Sequence, residues 1–160
     1  MMGSNRKFYL PNQPIEDAVA KVEGLIAPGF QRHAQIAGYY PKGGADIDAE
    51  DVSLIQLIAN PQAYDNKRVR ITGFLHLEFE GNVIYFHNED FRYGLTKNGL
   101  WIDVPKDMTK EQMKVVNDQY VICTARFVAR MHGHMGLNSG AVTDVSRLQL
   151  WPPYPRPTPK

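Results

Sequence analysis

The chain has 160 residues, of which 43% are hydrophobic, so it is long enough for one domain with a sizeable core and a small extension. Its 18 Lys and Arg residues nearly balance its 17 Asp and Glu residues, which argues against a strongly basic nucleic-acid coat but leaves room for a local basic face. The apolar runs are too short to cross a membrane and no secretory leader is visible, so we expect no membrane association. The single cysteine, Cys123, excludes an internal disulfide framework, and we expect a reducing, cytoplasmic location.

The N-terminal extension, residues 1–50, contains one predicted helix. Pro14 suits the first turn of a helix, and the Pro28–Gly29 pair marks its end. Between them, apolar residues recur at helical spacing: Ile15, Ala18, Val19, Val22 and Ile26. This apolar stripe must pack somewhere, so we expect the helix to lie on the outside of the following domain. The stretch from residue 28 to 50 is predicted to be either a long loop or a loop with one strand near residues 35–40.

A second helix is predicted from about Asp51 to Ala59. The Asn60–Pro61 pair ends it, because a residue before proline avoids helical angles. An acidic run precedes this helix: Asp46, Asp48, Glu50 and Asp51. These acids are interpreted as charges that complement the positive end of the helix dipole.

The most informative segment is an alternating strand from Lys67 to Phe79. Its odd-numbered residues from Val69 onwards are mainly apolar and are predicted to face a core, whereas the even-numbered residues 68–76 face solvent. Gly73 lies on the inward series, where glycine is typical of a bulge or a sharp bend. The segment therefore predicts one strongly curved barrel strand.

Four further strands and one helix follow this first barrel strand. The strands are predicted at about 83–87, 100–104, 120–131 and 141–150, with Cys123 on the inward face of the third of these. Before that strand, Thr109 and Gln112 have the spacing of a helix capping box. The tail, residues 152–160, is rich in proline and is predicted to be extended or disordered.

Three segments carry a resemblance to a known fold: the KRVRITGFLHL strand, the helix at residues 109–117 and the closing SGAVTDVSRLQLW. Together with the order of the elements, they resemble the OB-fold, a five-stranded Greek-key barrel. The resemblance is to bacterial stand-alone OB modules and covers residues 53–151. It implies a mostly β fold, with a barrel over 51–151, an N-terminal helical extension over 1–50 and a proline-rich tail over 152–160. OB-folds bind oligonucleotides, oligosaccharides or proteins, and the fold alone does not select among them.

The outward face supplies the predicted ligand-binding side chains. They are Arg68, Arg70, Phe74, His76, Arg92, Trp101, Arg126, His132 and His134. In this hypothesis the strand arginines meet phosphates, Phe74 and Trp101 offer stacking platforms, and His132 and His134 line the groove. In the alternative, the N-terminal helix covers Phe74 and Trp101.

The loop of residues 88–99 allows two interpretations. It combines aromatic faces with positive charge, as single-strand binders do, through Phe91, Arg92, Tyr93 and Lys97. Its neighbouring acids, Glu89 and Asp90, would repel phosphate. Alternatively, the aromatic side chains close one end of the barrel.

No catalytic or metal-binding pattern is evident in the sequence. The His132–Gly133–His134 pair is a legitimate start for a zinc site, but His76, His87 and Cys123 have no spacing that forces them to converge on it, so no metal or other cofactor is predicted. The chain has no nucleophile elbow, phosphate-binding loop or HExxH motif, and we expect no enzyme activity. The prediction is a non-catalytic binding module for single-stranded nucleic acid. The alternative is a protein-interaction module, such as an inhibitor or immunity-type partner.

Overall fold

The computed structural model of the chain describes residues 38–39 and 48–151. Its strands are β1 (Gly38–Tyr39), β2 (Glu50–Asp51), β3 (Arg68–His76), β4 (Val83–Tyr85), β5 (Gly99–Ile102), β6 (Gln119–Val128) and β7 (Ala141–Leu150). Its α-helices are α1 (Leu54–Ala59), α2 (Pro61–Tyr64), α3 (Asn88–Arg92) and α4 (Lys110–Val116), and short 3-10 turns cover Thr96–Asn98 and His134–Gly136. The predicted N-terminal helix and the proline-rich tail lie outside the described residues.

Strands β3 to β7 close into a five-stranded barrel. Around the ring, β3 pairs with β4, β4 with β5, β5 with β7, β7 with β6, and β6 again with β3. The β5–β7 pairing is parallel and the other four are antiparallel. The predicted mostly β fold with a closed barrel is therefore confirmed, and the barrel fits an OB-type architecture in outline.

The short strands β1 and β2 extend the barrel sheet at two places. β1 pairs antiparallel with the end of β7, and β2 pairs parallel with the start of β3. Glu50 and Asp51 thus belong to a strand, and α1 begins only at Leu54, after a capping box between Ser53 and Gln56. The interpretation of Glu50 and Asp51 as helix-dipole charges is wrong, because their backbone follows β3 instead of entering the helix.

The alternation along β3 decides which of its side chains enter the core. Val69, Ile71 and Leu75 are buried in one cluster with the inward residues of β6 and β7. Cys123 lies in the same cluster, as predicted. Phe79 was expected to face inward as well, but it is 93% exposed because β3 ends at His76 and the chain turns toward β4.

Gly73 allows a close approach between β3 and β4. The β3–β6 ladder runs from Arg68 to Leu75 without a register shift, so of the two predicted features, a bulge or a sharp bend, the bulge is absent from this ladder. A Cβ atom on Gly73 would lie 2.5 Å from the carbonyl oxygen of Tyr85 and 2.8 Å from Cγ1 of Ile84. The backbone of β4 therefore occupies the space that any other side chain would need.

Helix α4 is confirmed where the capping box predicted it. The Thr109 hydroxyl accepts a hydrogen bond from the backbone N–H of Gln112 at 3.2 Å, and the Gln112 side chain accepts one from the backbone N–H of Thr109 at 2.8 Å. Val116 anchors the helix in the core. Within the described ranges, no helix combines the length and the apolar character that a membrane crossing requires.

The segment between β4 and β5 contains a helix, α3, that the sequence pattern did not predict. The buried carboxylate of Asp90 organises it. One carboxylate oxygen accepts a hydrogen bond from the backbone N–H of His87 at 2.8 Å, and the other accepts one from the side-chain amide of Asn98 at 2.8 Å. The two ends of this segment are therefore tied together through a single side chain.

Candidate binding cleft

An open cleft of about 510 Å³ lies between the β3–β4 turn and the β6–β7 loop. Its lining is Glu80, Asn82, Trp101, Asp103, Met131, His132, Gly133 and His134. The structure thus brings together Trp101, His132 and His134 from the predicted site. The other five lining residues were not predicted.

Trp101 is partly exposed in this cleft. It lies in β5 between its pairing partners Val83 of β4 and Ala141 of β7. Its neighbours along the strand, Leu100 and Ile102, are fully buried in the core. Since side chains alternate along a strand, Trp101 lies on the outer face of the barrel, which agrees with the expectation from the sequence.

Gly133 holds the β6–β7 loop against Trp101. Its backbone angles are φ 68° and ψ −163°, a region that is essentially restricted to glycine. A Cβ atom on Gly133 would lie 2.6 Å from Cε3 of the indole and 2.9 Å from the side-chain oxygen of Asn138. The loop backbone therefore packs directly on the tryptophan ring and leaves no room for another side chain.

Hydrogen bonds fix the β6–β7 loop to the 3-10 turn at Thr96–Asn98. The Asn138 amide donates to the Thr96 carbonyl at 3.3 Å, and the Ser139 hydroxyl donates to the Lys97 carbonyl at 2.6 Å. In return, the Lys97 ammonium donates to the Gly136 carbonyl at 3.2 Å. One wall of the cleft is thus attached to the barrel at several points.

The tautomer of His132 follows from its hydrogen bond. Its Nδ1 lies 3.1 Å from the carbonyl oxygen of Asn138. A carbonyl oxygen only accepts, so Nδ1 carries the hydrogen and Nε2 of the neutral ring is an acceptor. In its neutral form, His132 therefore offers Nε2 as an acceptor among the residues that line the cleft.

Two carboxylates border the same cleft. Glu80 Oε2 lies 3.8 Å from Nε2 of His134, so the β3–β4 turn faces the β6–β7 loop across the opening. Asp103 follows Trp101 by two positions and is exposed, and no hydrogen bond or ion pair of its carboxylate is found among the described residues. In the strand predicted at about 100–104, alternation puts Asp103 on the same face as Trp101. This alternation was the signal that could have identified Asp103 from the sequence.

Phe74 is not available as the stacking platform that the sequence predicted. It is only 4% exposed and forms a second apolar cluster with Val83 and Tyr85. Phe91 of α3 stacks beside it with ring centroids 6.1 Å apart, and Tyr120 of β6 packs edge-on at 5.6 Å. Residues of the barrel domain itself thus cover Phe74. The 88–99 loop was predicted either to bind a single strand or to close one end of the barrel with its aromatic side chains. Phe91 has a packing role, but it covers the outer face of the barrel and not its end.

His76 belongs to the Phe74 region and does not line the cleft. Its ring stacks on Phe91 with centroids 3.8 Å apart, and its Nδ1 lies 2.6 Å from Oδ1 of Asp118. Its Nε2 lies 3.6 Å from a carboxylate oxygen of Glu78. In the same region, burial raises the pKa of the Tyr85 hydroxyl, and the negative charges of Glu78 and Asp90 raise it further.

The predicted phosphate-binding arginines Arg68, Arg70 and Arg126 form a third group, called here the arginine stripe. Arg68 and Arg126 are paired residues of β3 and β6. Arg126 lies 3.0 Å from a carboxylate oxygen of Asp144, and Arg70 lies 3.0 Å from one of Asp51. The Arg68 guanidinium donates to the Ser146 hydroxyl and, at 3.4 Å, to the Asp144 carbonyl. A phosphate at the stripe would therefore compete with carboxylates that are already in place.

The remaining predicted site residue, Arg92, is exposed at the end of α3. The predicted binding residues thus fall into separate groups on the outer surface. Within the part of the chain that the structure describes, no group of three or more His, Cys, Asp or Glu side chains is arranged to hold a metal ion.

Comparison with solved structures adds weak similarity. No family model matches the chain, and no curated protein matches it. Among solved structures, the chain is similar to a crystal structure from Leishmania major Friedlin assigned as an aspartyl-tRNA synthetase, with 10% sequence identity and a TM-score of 0.41. The alignment covers 78% of this chain and 25% of that chain. Function is therefore inferred from the geometry of the cleft alone.

Proposed function

We propose that this chain is a non-catalytic binding module for single-stranded nucleic acid, and that one base of the ligand stacks on Trp101. The proposal is carried by a partly exposed tryptophan in an open cleft of about 510 Å³. Stacking of a base on an aromatic side chain contributes about 1–3 kcal/mol and tolerates any base, because every base has a π-face. The cleft is open at its mouth, so a continuous strand can pass through it.

The nucleic-acid backbone would meet only a modest positive charge around this cleft. The Lys97 ammonium is hydrogen-bonded to the β6–β7 loop. The exposed Arg130 directly precedes Met131, a cleft residue. The histidines of the loop add charge when protonated. The carboxylates of Glu80 and Asp103 offset these cations, so binding would depend more on the base than on the phosphates. We therefore expect a shallow salt dependence. For each phosphate contact, the logarithm of the association constant should fall by about 0.7 per tenfold increase in salt concentration.

The experiment that tests the proposal is a fluorescence anisotropy titration of a labelled mixed-sequence oligonucleotide of about ten nucleotides at low salt. We expect Trp101→Ala to weaken binding by about 5- to 150-fold, which corresponds to the stacking energy of one base. Trp151→Ala is the matched control: Trp151 is 50% exposed and does not line the cleft, so its loss should leave the affinity unchanged.

Two results would contradict the proposal. One is the absence of binding to any mixed oligonucleotide at low salt by the folded wild-type protein. The other is an equal loss of affinity in both tryptophan variants, because stacking on Trp101 would then have no special role.

A second candidate function, binding of a protein segment, is favoured by the apolar side chains that border the cleft. Phe79 is 93% exposed beside Glu80, and Met135 is 81% exposed beside His134. Met131, which lines the cleft, is also exposed. Aromatic residues and methionine are enriched at protein interfaces, so this border could hold an apolar segment of a partner.

The two candidates respond differently to changes at the border. Phe79→Ser combined with Met135→Ser should leave oligonucleotide affinity within about twofold if the base on Trp101 supplies the binding energy. If a protein is the ligand, the same double variant should lose a partner that co-purifies after nuclease treatment, and the wild-type protein should bind no oligonucleotide.

A further inference from the structure

The polar side chains around Trp101 are mainly hydrogen-bond acceptors. Glu80 and Asp103 contribute carboxylate oxygens, and the neutral form of His132 contributes Nε2 because its Nδ1 donates to a backbone carbonyl. Asn82 adds an amide that both donates and accepts, and His134, whose Nε2 lies 3.8 Å from a Glu80 carboxylate oxygen, adds a ring that can also donate. A ligand whose edge carries hydrogen-bond donors complements such a lining.

Asp103 is the acceptor best placed to read the edge of a stacked base. It lines the same cleft as Trp101 and follows it by two residues, directly after β5 ends at Ile102, and two residues of extended chain span about 7 Å. That distance is comparable to the width of a base, so a base lying on the indole would extend toward the carboxylate. The backbone N–H of Asp103 donates to the Val142 carbonyl at 2.9 Å, whereas its carboxylate has no hydrogen-bond or ion-pair partner within the described ranges, so the carboxylate oxygens can accept from a ligand.

The geometry points to a cleft that prefers bases carrying an exocyclic amino group, with Asp103 as the residue that selects them. This inference rests on the proposed function. Cytosine and adenine present an N–H₂ donor that a carboxylate accepts, whereas uracil presents a carbonyl oxygen at the position of the cytosine amine. Uracil would place that oxygen against acceptors that are already negatively charged. Cytosine and uracil are otherwise nearly the same size, so stacking does not separate them.

The test compares oligo-dC and oligo-dU of about ten nucleotides by fluorescence anisotropy. We expect the wild-type protein to bind oligo-dC about tenfold more tightly, within the range that one specific base contact provides. Asp103→Asn replaces one acceptor oxygen with a donor and should abolish or reverse this preference. Glu111→Gln, on the exposed face of α4 outside the cleft, removes the same charge and should preserve it.

The outcomes separate the inference from the proposed function. Equal binding of both oligonucleotides, or an unchanged preference in Asp103→Asn, would overturn the selection by Asp103 while leaving single-strand binding intact. If neither oligonucleotide nor a mixed sequence binds, the proposed function itself fails. Circular dichroism of each variant shows whether the fold is retained, and Asp103→Ala gives a second variant with the acceptor removed.

Discussion

Gly133 links a backbone conformation to the position of the tryptophan in the cleft. Replacement by alanine would place a Cβ atom 2.6 Å from the indole and force a side chain into a region of backbone angles that costs about 1–3 kcal/mol. We expect Gly133→Ala to lower the free energy of unfolding by an amount in this range and to change the tryptophan fluorescence of the folded protein. Denaturant unfolding followed by fluorescence measures both effects.

Gly136 provides the control for this substitution in the same loop. It also has a positive φ, 69°, but a Cβ atom there would meet nothing within 4 Å. Gly136→Ala should therefore show only the backbone cost and leave the fluorescence of the folded protein unchanged. If both variants shift the fluorescence equally, the packing of Gly133 on Trp101 does not determine the environment of the ring.

At the scale of single elements, α4 depends on its N-terminal cap. The Thr109 hydroxyl accepts the backbone N–H of Gln112, whereas the Gln112 amide also donates to the Gly38 carbonyl at 3.1 Å and so connects the helix to β1. Thr109→Ala removes only the hydroxyl bond, and we expect a loss of about 1 kcal/mol in the free energy of unfolding. Thr109→Ser keeps the acceptor and should stay near wild type in a urea titration. A loss of equal size in the serine variant would mean that the methyl group, and not the cap, stabilises this end.

The elements that the sequence predicted correctly are those with a local signal. The bounds of β7 and the cap of α4 were predictable because each rests on a local signal, namely alternation and the Thr109–Gln112 spacing. Helix α3 was not, because it is short and is organised by Asp90 through bonds to residues on either side. The burial of Phe74 depends on that helix, so its predicted stacking role was wrong for the same reason.

For the cleft, the sequence predicted Trp101, His132 and His134 and missed the other five lining residues. Trp101 was found because its phase on β5 is opposite to that of its buried neighbours, and the same reasoning applies to Asp103. Glu80 and Asn82 were not found, because their place in the cleft depends on the β3–β4 turn meeting a loop about fifty residues later in the chain. Such long-range proximity leaves no periodic signal in either segment.

At the scale of the whole molecule, the buried Tyr85 should make the fold sensitive to alkali. Its pKa is raised in the folded state by burial first and then by Glu78 and Asp90. The folded protein therefore holds the phenolic proton more tightly than the unfolded chain, in which the pKa is about 10. Stability from this group is fully present below about pH 10 and is lost as the pH rises toward the folded-state pKa.

We expect thermal unfolding temperatures to fall more steeply above about pH 10 in the wild-type protein than in Tyr85→Phe, since phenylalanine has no proton to lose. Tyr93→Phe is the control, because Tyr93 is well exposed to solvent. Parallel curves for the wild type and Tyr85→Phe would show that Tyr85 does not contribute to the alkaline transition.

The attachment of the β6–β7 loop to the 3-10 turn has a kinetic consequence for any ligand of the cleft. Since the bonds from Asn138, Ser139 and Lys97 hold this wall before a ligand arrives, capture requires little reorganisation and wastes little conformational entropy. Encounter should then proceed at similar speed for good and poor ligands. Differences in affinity between ligands would then come from differences in their dissociation rates.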